Sequence, residues 1–183
     1  LDGTVDTAIA AADVANVTNI DTIAVGSNAT TGLVLHDNNV ASGATGNITA
    51  TKLTTAVLTL DVSAEQDGEY NITLAGTGDH QVTLGNGNDT YTSTSTAGED
   101  VTATAGNNTI STGDGADTII GGTGADNMSG EAGGDTFSFT SANLTSNDTM
   151  NGGSGTDIIS MSNDSVVVDS DFTNVTSVET LTS

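Results

Sequence analysis

The sequence predicts an all-β chain that winds into a parallel solenoid, and three observations carry that expectation. Nine-residue units follow one another in tandem, each with glycine, aspartate and one apolar residue at fixed places. Outside those units apolar and polar residues alternate, the period of a strand with one buried face. The composition suits short strands and tight turns: no proline, no cysteine, 3% aromatic residues, and 34% hydrophobic residues spread along the chain. Self-similarity at a short fixed period marks stacked layers, because one unit cannot bury its apolar residue alone.

The units are clearest over residues 112–138, which divide without gaps into Thr-Gly-Asp-Gly-Ala-Asp-Thr-Ile-Ile, Gly-Gly-Thr-Gly-Ala-Asp-Asn-Met-Ser and Gly-Glu-Ala-Gly-Gly-Asp-Thr-Phe-Ser. Position four is Gly115, Gly124 or Gly133, and position six is Asp117, Asp126 or Asp135. Position eight is Ile119, Met128 or Phe137, and Gly113 and Gly122 occupy position two. Upstream the frame erodes. Residues 103–111 keep Gly106 and Ile110 but carry Asn108 at the acidic place, and 94–102 keep Val101 with Glu99 there. Residues 84–92 restore the pattern with Gly85, Gly87, Asp89 and Tyr91, whereas 75–83 place His80 where Asp belongs. Downstream, 152–160 supply Gly153, Gly155, Asp157 and Ile159.

Charge narrows the chemistry. Acidic residues number 24 against one basic residue, Lys52, for a net charge of −23. Nucleic acid and anionic membrane surfaces are excluded as partners, since both demand lysine and arginine. Charge of one sign opposes a compact state, so folding calls for bound cations. Of the acidic residues 19 are Asp, the shorter side chain, suited to turns and to hard cations. Without cysteine, metal is the available substitute for disulfide staples. No apolar run approaches the length of a membrane span.

These units resemble the hemolysin-type calcium-binding repeat of the repeats-in-toxin (RTX) family, Gly-Gly-x-Gly-x-Asp-x-U-x with U a large apolar residue, over roughly residues 75–160. The resemblance implies a right-handed parallel β-roll or β-helix with several Ca2+ ions in its turns. It places metal ligands among Gly85, Gly87, Asp89, Asn108, Gly113, Gly115, Asp117, Gly122, Gly124, Asp126, Gly133, Asp135, Gly153, Gly155 and Asp157. In physical terms, the first six residues of a unit turn and the last three form a strand with its apolar residue inward. Two units make one coil, so residues 18 apart stack. Asp117 then lies over Asp135, with Glu99 on its other side, and Asp126 lies over Asn108 on the opposite edge. The strongest calcium site is expected between Asp117 and Asp135, a weaker one at Asn108–Asp126. A four-residue excursion within 139–151 brings Asp157 back into register with Asp135. His80, a poor calcium ligand, is expected to face solvent. The alternative is a solenoid whose turns close without metal, above all over 94–111.

Three segments follow from this: β-rich structure over 1–74, either coils without calcium or a small packed sheet; the calcium-binding roll over 75–160; and the opening of another unit over 161–183. Ile48, Ala50, Leu58, Leu60, Val62, Tyr70, Ile72 and Leu74 alternate as inward strand positions, with turn signals at Gly46-Asn47 and Asp67-Gly68. Residues 4–15, rich in Ala, suggest a short helix. Asp13–Ile23 resembles Asp171–Leu181 at an offset of 158 residues, which reads as one unit plus the start of the next, in a segment of a longer protein. The run Asn174-Val175-Thr176-Ser177-Val178-Glu179-Thr180-Leu181, after a Gly-Gly-x-Gly-Thr-Asp unit, is similar to runs in bacterial surface-layer proteins and giant adhesins of this family.

Catalysis has little to stand on. His36 and His80 sit in dissimilar contexts, and there is no His-Glu-x-x-His motif, cysteine nucleophile or Gly-x-Ser-x-Gly elbow. The expected function is a secreted, calcium-dependent structural module at the cell surface, with copies of itself or neighbouring repeats as partners and cell-surface polysaccharide as a possible ligand. The alternatives are an ice- or carbohydrate-binding face, suggested by Thr92, Thr94, Thr96, Thr102 and Thr104, and a folding appendage of a secreted hydrolase or epimerase.

Overall fold

The computed structural model describes residues 14–26, 31–163 and 166–183. The chain alternates between two eight-stranded sheets, and each inner strand pairs in parallel with the strand one coil before and one coil after it. The first sheet stacks Thr22–Ala24, Thr45–Ala50, Glu69–Leu74, Thr90–Ser93, Thr109–Ser111, Asn127–Ser129, Thr149–Asn151 and Val175–Thr176. The second stacks Thr31–Val34, Leu58–Asp61, Gln81–Thr83, Asp100–Thr102, Thr118–Ile120, Thr136–Phe139, Ile158–Met161 and Thr180–Thr182. Parallel neighbours joined by turns at alternating edges make a β-solenoid.

Each strand is short, and its alternation puts the apolar residue inside. Ile119 pairs with Val101 before it and Phe137 after it, and Met128 pairs with Ile110 and Met150. Ile119, Met128, Phe137 and Met150 are fully buried. The core runs without interruption from Val25 to Met161 and includes all eight alternating residues of 48–74.

The coil length changes along the stack. Leu33 pairs with Leu60 and Ile48 with Ile72, so the early coils hold larger turns than the 18-residue step between Ile119 and Phe137. Met128 to Met150 and Phe137 to Ile159 are each 22 apart. The four extra residues lie in the turn over 140–148, which drops Leu144 into the core.

Some local expectations need correction. Gly46 and Asn47 lie within the strand Thr45–Ala50 rather than in a turn. Gly46 is needed for close approach: a Cβ there would sit 2.7 Å from Val40 and 2.9 Å from the Tyr70 ring. The proposed helix over 4–15 lies almost wholly outside the described residues. The two segments related by 158 residues occupy different places: Thr22–Ala24 belongs to the first sheet and Thr180–Thr182 to the second.

Candidate metal centre

Each edge of the solenoid carries a column of polar side chains, and the first link of every column is a backbone bond. On one edge the Glu99 N–H donates to Asp117 Oδ1 (2.7 Å), Asp117 N–H to Asp135 Oδ1 (2.9 Å), Asp135 N–H to Asp157 Oδ1 (2.8 Å) and Asp157 N–H to Glu179 Oε2 (2.8 Å). On the other, Tyr70 N–H donates to Asp89 Oδ1 (2.8 Å), Asp89 N–H to Asn108 Oδ1 (2.9 Å), Asn108 N–H to Asp126 Oδ1 (2.9 Å) and Asp126 N–H to Asp148 Oδ1 (2.9 Å). One oxygen of each side chain thus ties a coil to the coil before it. Short side chains suit this bond, which explains Asp at position six.

The second oxygen is the one that points to an ion. Asp117, Asp126, Asp135 and Asp157 are at most 1% exposed, and the Oδ2 of each is buried without a hydrogen-bond partner. A buried ionised oxygen left alone is costly and is normally paired or metal-bound. Burial, the largest influence, pushes Asp135 up to about 7 and Asp89 up to about 6, and raises Asp117 and Asp126 as well. The turn leaves room beside these atoms: a Cβ on Gly130 would lie 2.2 Å from Asp135 Oδ2, and one on Gly152 2.5 Å from Asp157 Oδ2. Carboxylate oxygens of this kind, with turn carbonyls from stacked coils, are the donor set of a hard divalent cation. Bound there, such an ion would supply positive charge to acidic turns whose sequence holds no lysine or arginine.

Glycine at position four serves stacking. Gly124 has φ +137°, and a Cβ there would sit 1.9 Å from the Gly106 carbonyl oxygen; Gly133 has φ +146°, with the Gly115 oxygen 1.3 Å away. Gly113 and Gly153, at position two, have φ of +91° and +98°. Gly85, Gly87, Gly115, Gly122 and Gly155 likewise line the turns, each with a preceding coil's backbone 3 Å or less from where its Cβ would be.

Three places in the columns differ from a repeated carboxylate. The Asn108 Nδ2 donates to the Ala105 and Gly106 carbonyls and to Asp126 Oδ1, so an amide already serves the acceptors that a cation would use. Both Glu99 oxygens are satisfied, by the Tyr91 hydroxyl and by Ser93 Oγ, although burial still pushes Glu99 up to about 7. His80 is fully buried rather than solvent-facing. Its Nδ1 accepts the Leu58 N–H at 3.1 Å, the role Asp89 plays for Tyr70, and burial, the larger influence, lowers its pKa. A neutral imidazole takes the carboxylate's structural place there.

Asp148 was not singled out by the nonapeptide pattern, because its unit, residues 143–151, contains no glycine. The signal that finds it is the triplet Asp148-Thr149-Met150, which matches Asp117-Thr118-Ile119 and Asp135-Thr136-Phe137. Its Oδ2 accepts the Thr145 N–H and hydroxyl instead of standing alone.

Stacked parallel coils with an acidic column on each edge define a β-solenoid with turns built for hard cations. Residues 102–137 and 144–160 match the RTX calcium-binding nonapeptide repeat in four copies. Over those residues the chain carries RTX repeats, which together with the parallel solenoid support an RTX β-roll, and the repeats are calcium-binding motifs whose number implies several ions. It is a calcium-binding structural repeat module, and its fold is a structural rather than a typically catalytic one. RTX repeats are typical of secreted proteins, and no helix among the described residues is long and apolar enough to cross a membrane. Comparison with curated proteins and with solved structures gave no match.

Proposed function

We propose that the chain is a secreted, non-catalytic module of a bacterial surface layer, extracellular fibre or adhesin stalk, and that it folds when Asp89, Asp117, Asp126, Asp135 and Asp157, with the turns around them, take up calcium outside the cell. The observation that carries this reading is the set of unpartnered, buried Oδ2 atoms on Asp117, Asp126, Asp135 and Asp157. Without cations the folded chain buries these charges one above another, so calcium-poor cytoplasm favours the unfolded chain. In calcium-rich surroundings, binding free energy becomes folding free energy. A site at a hundred times its dissociation constant contributes about 2.7 kcal/mol, so a few sites decide the equilibrium. Partners are other copies or neighbouring repeats, since the open strand edges at the ends of a solenoid invite pairing.

Circular dichroism during calcium titration, followed by chelator, tests the switch. The β signal should appear with calcium and vanish with chelator, and replacing Asp117 and Asp135 by Ala should raise the midpoint. A β spectrum indifferent to chelator would sink the proposal.

A second reading is favoured by one feature of the first sheet. Thr49, Thr73, Thr92, Ser111, Ser129 and Asn151 stand in register across six coils. Such a row of short polar groups suits a glycan or ice surface. Glycan-array binding or thermal hysteresis by the calcium-loaded chain would favour that role over a scaffold.

A further inference from the structure

We propose a calcium site outside the nonapeptide repeats, formed by Asp37, Glu65 and Asp67 between two turns of the early coils. Asp37 lies in the turn joining Thr31–Val34 to Thr45–Ala50, and Glu65 and Asp67 lie in the next turn on the same edge, between Leu58–Asp61 and Glu69–Leu74. One carboxylate oxygen from each residue lies within 4.8 Å of the others. The two turns are fastened to each other: Asp37 Oδ1 accepts the Gln66 N–H at 2.8 Å, and the Asp67 carbonyl accepts the Gly43 N–H at 3.0 Å.

Glu65 supplies the independent evidence for a ligand. Its side chain is 1% exposed and folds back under its own turn, where Oε1 accepts the Asp67 and Gly68 N–H groups at 3.3 and 2.9 Å. The other oxygen, Oε2, is buried with no partner at all. The neighbouring Tyr70 hydroxyl does not supply one, being buried and unpartnered itself. Gly68 makes the space, since a Cβ there would press within 3.1 Å of the Glu65 carboxylate. An inward-folded glutamate with Asp67 on its own turn and Asp37 on the adjoining one suits a cation. The chain's single basic side chain, Lys52, belongs to a turn on the opposite edge, so the charge comes from solution.

The donors are hard oxygens from two separate backbone segments, with two exposed carboxylates able to share the ion with water. That flexible arrangement suits calcium, whereas magnesium demands near-octahedral geometry and sheds water reluctantly. The site continues the Asp89–Asn108–Asp126–Asp148 edge: Asn86, in the Asp89 turn, donates its N–H to the Glu65 carbonyl at 3.1 Å and its side-chain amide to Gln66. An ion held here clamps to each other two turns of coils that carry no RTX repeat.

The test is an ion count on the whole chain by equilibrium dialysis against calcium, native protein beside D37N/D67A. Asn at 37 still accepts the Gln66 N–H, and the Asp67 side chain accepts no hydrogen bond among the described residues. The variant should bind one calcium ion fewer, keep its β spectrum in calcium, and retain the ions that D117A/D135A loses. If the double variant does not fold in calcium, D67A alone carries the count, with a weakened or lost ion expected. Several ions on the native chain and the same number at the same midpoints in the variant would overturn this site and leave the repeat sites standing. A native chain that binds no calcium would overturn both.

Discussion

Gly133 and Glu131 show how steric detail in one turn governs stability. At Gly133 a methyl group would overlap the Gly115 carbonyl oxygen of the preceding coil, so Gly133→Ala must push two coils apart. Its unfolding midpoint in calcium should fall by several kcal/mol's worth of denaturant, on the order of 2–4 kcal/mol. Glu131 is the opposite case. It holds φ +65° at position two, where Gly113 and Gly153 hold similar positive angles. Glu131→Gly relieves that strain, offset in part by the greater freedom of glycine when unfolded, and should stabilise the calcium-loaded chain by roughly 0.5–1 kcal/mol in denaturant titration.

Proton linkage acts at the same scale. Burial pushes Asp135 up to about 7 and Asp89 up to about 6, above the usual carboxylate value of about 4 in an unfolded chain. The folded, metal-free state therefore binds more protons than the unfolded one, and its stability falls as pH rises from about 4 through about 7. Acidifying the chelated protein from neutrality to about pH 5 should increase its β signal. In saturating calcium the same carboxylates stay ionised by the metal, and that gain should disappear. A chelated chain whose spectrum ignores pH across this range contradicts the linkage.

At the scale of elements, the eroded coil over 94–111 separates two kinds of rung. Asn108 bridges its neighbours with an amide, and Glu99 is occupied by Tyr91 and Ser93. Asn108→Asp removes the amide and places a second carboxylate beneath Asp126. That variant should be less stable in chelator and bind one more calcium ion, countable by equilibrium dialysis. This coil also shows what the sequence could and could not convey. Rungs such as Asp117–Asp135 were legible because two nine-residue units equal one 18-residue coil, so spacing alone stacks them. Asp148 was hidden because its turn lacks glycine and closes through Thr145 instead. His80 was misjudged because a ring nitrogen can accept the Leu58 N–H as a carboxylate would. That is a matter of hydrogen-bond chemistry rather than of periodicity.

For the whole molecule, parallel coiling was readable from the repeats, and the alternating residues of 48–74 correctly marked a buried face. The size of the early coils was not readable. Their turns have no glycine frame, and Leu33 over Leu60 or Ile48 over Ile72 is set by which apolar residues meet in the core. The stack nevertheless runs through both regions as one pair of sheets. Each coil of the roll is fastened to the next by two edge bonds, such as Asp117 N–H to Asp135 and Asn108 N–H to Asp126, across an 18-residue step.

That fastening has a mechanical consequence. A coil peeled from an end gives up only about 4.8 Å of stacked height but frees about 18 residues, roughly 60 Å of extended chain. Pulled by its termini in an optical trap, the chain should lengthen in coil-sized steps, and chelator should lower the force at which they occur. Under tension the protein would behave as a reel, paying out line while the rest stays wound, and dissipating a sudden load instead of snapping.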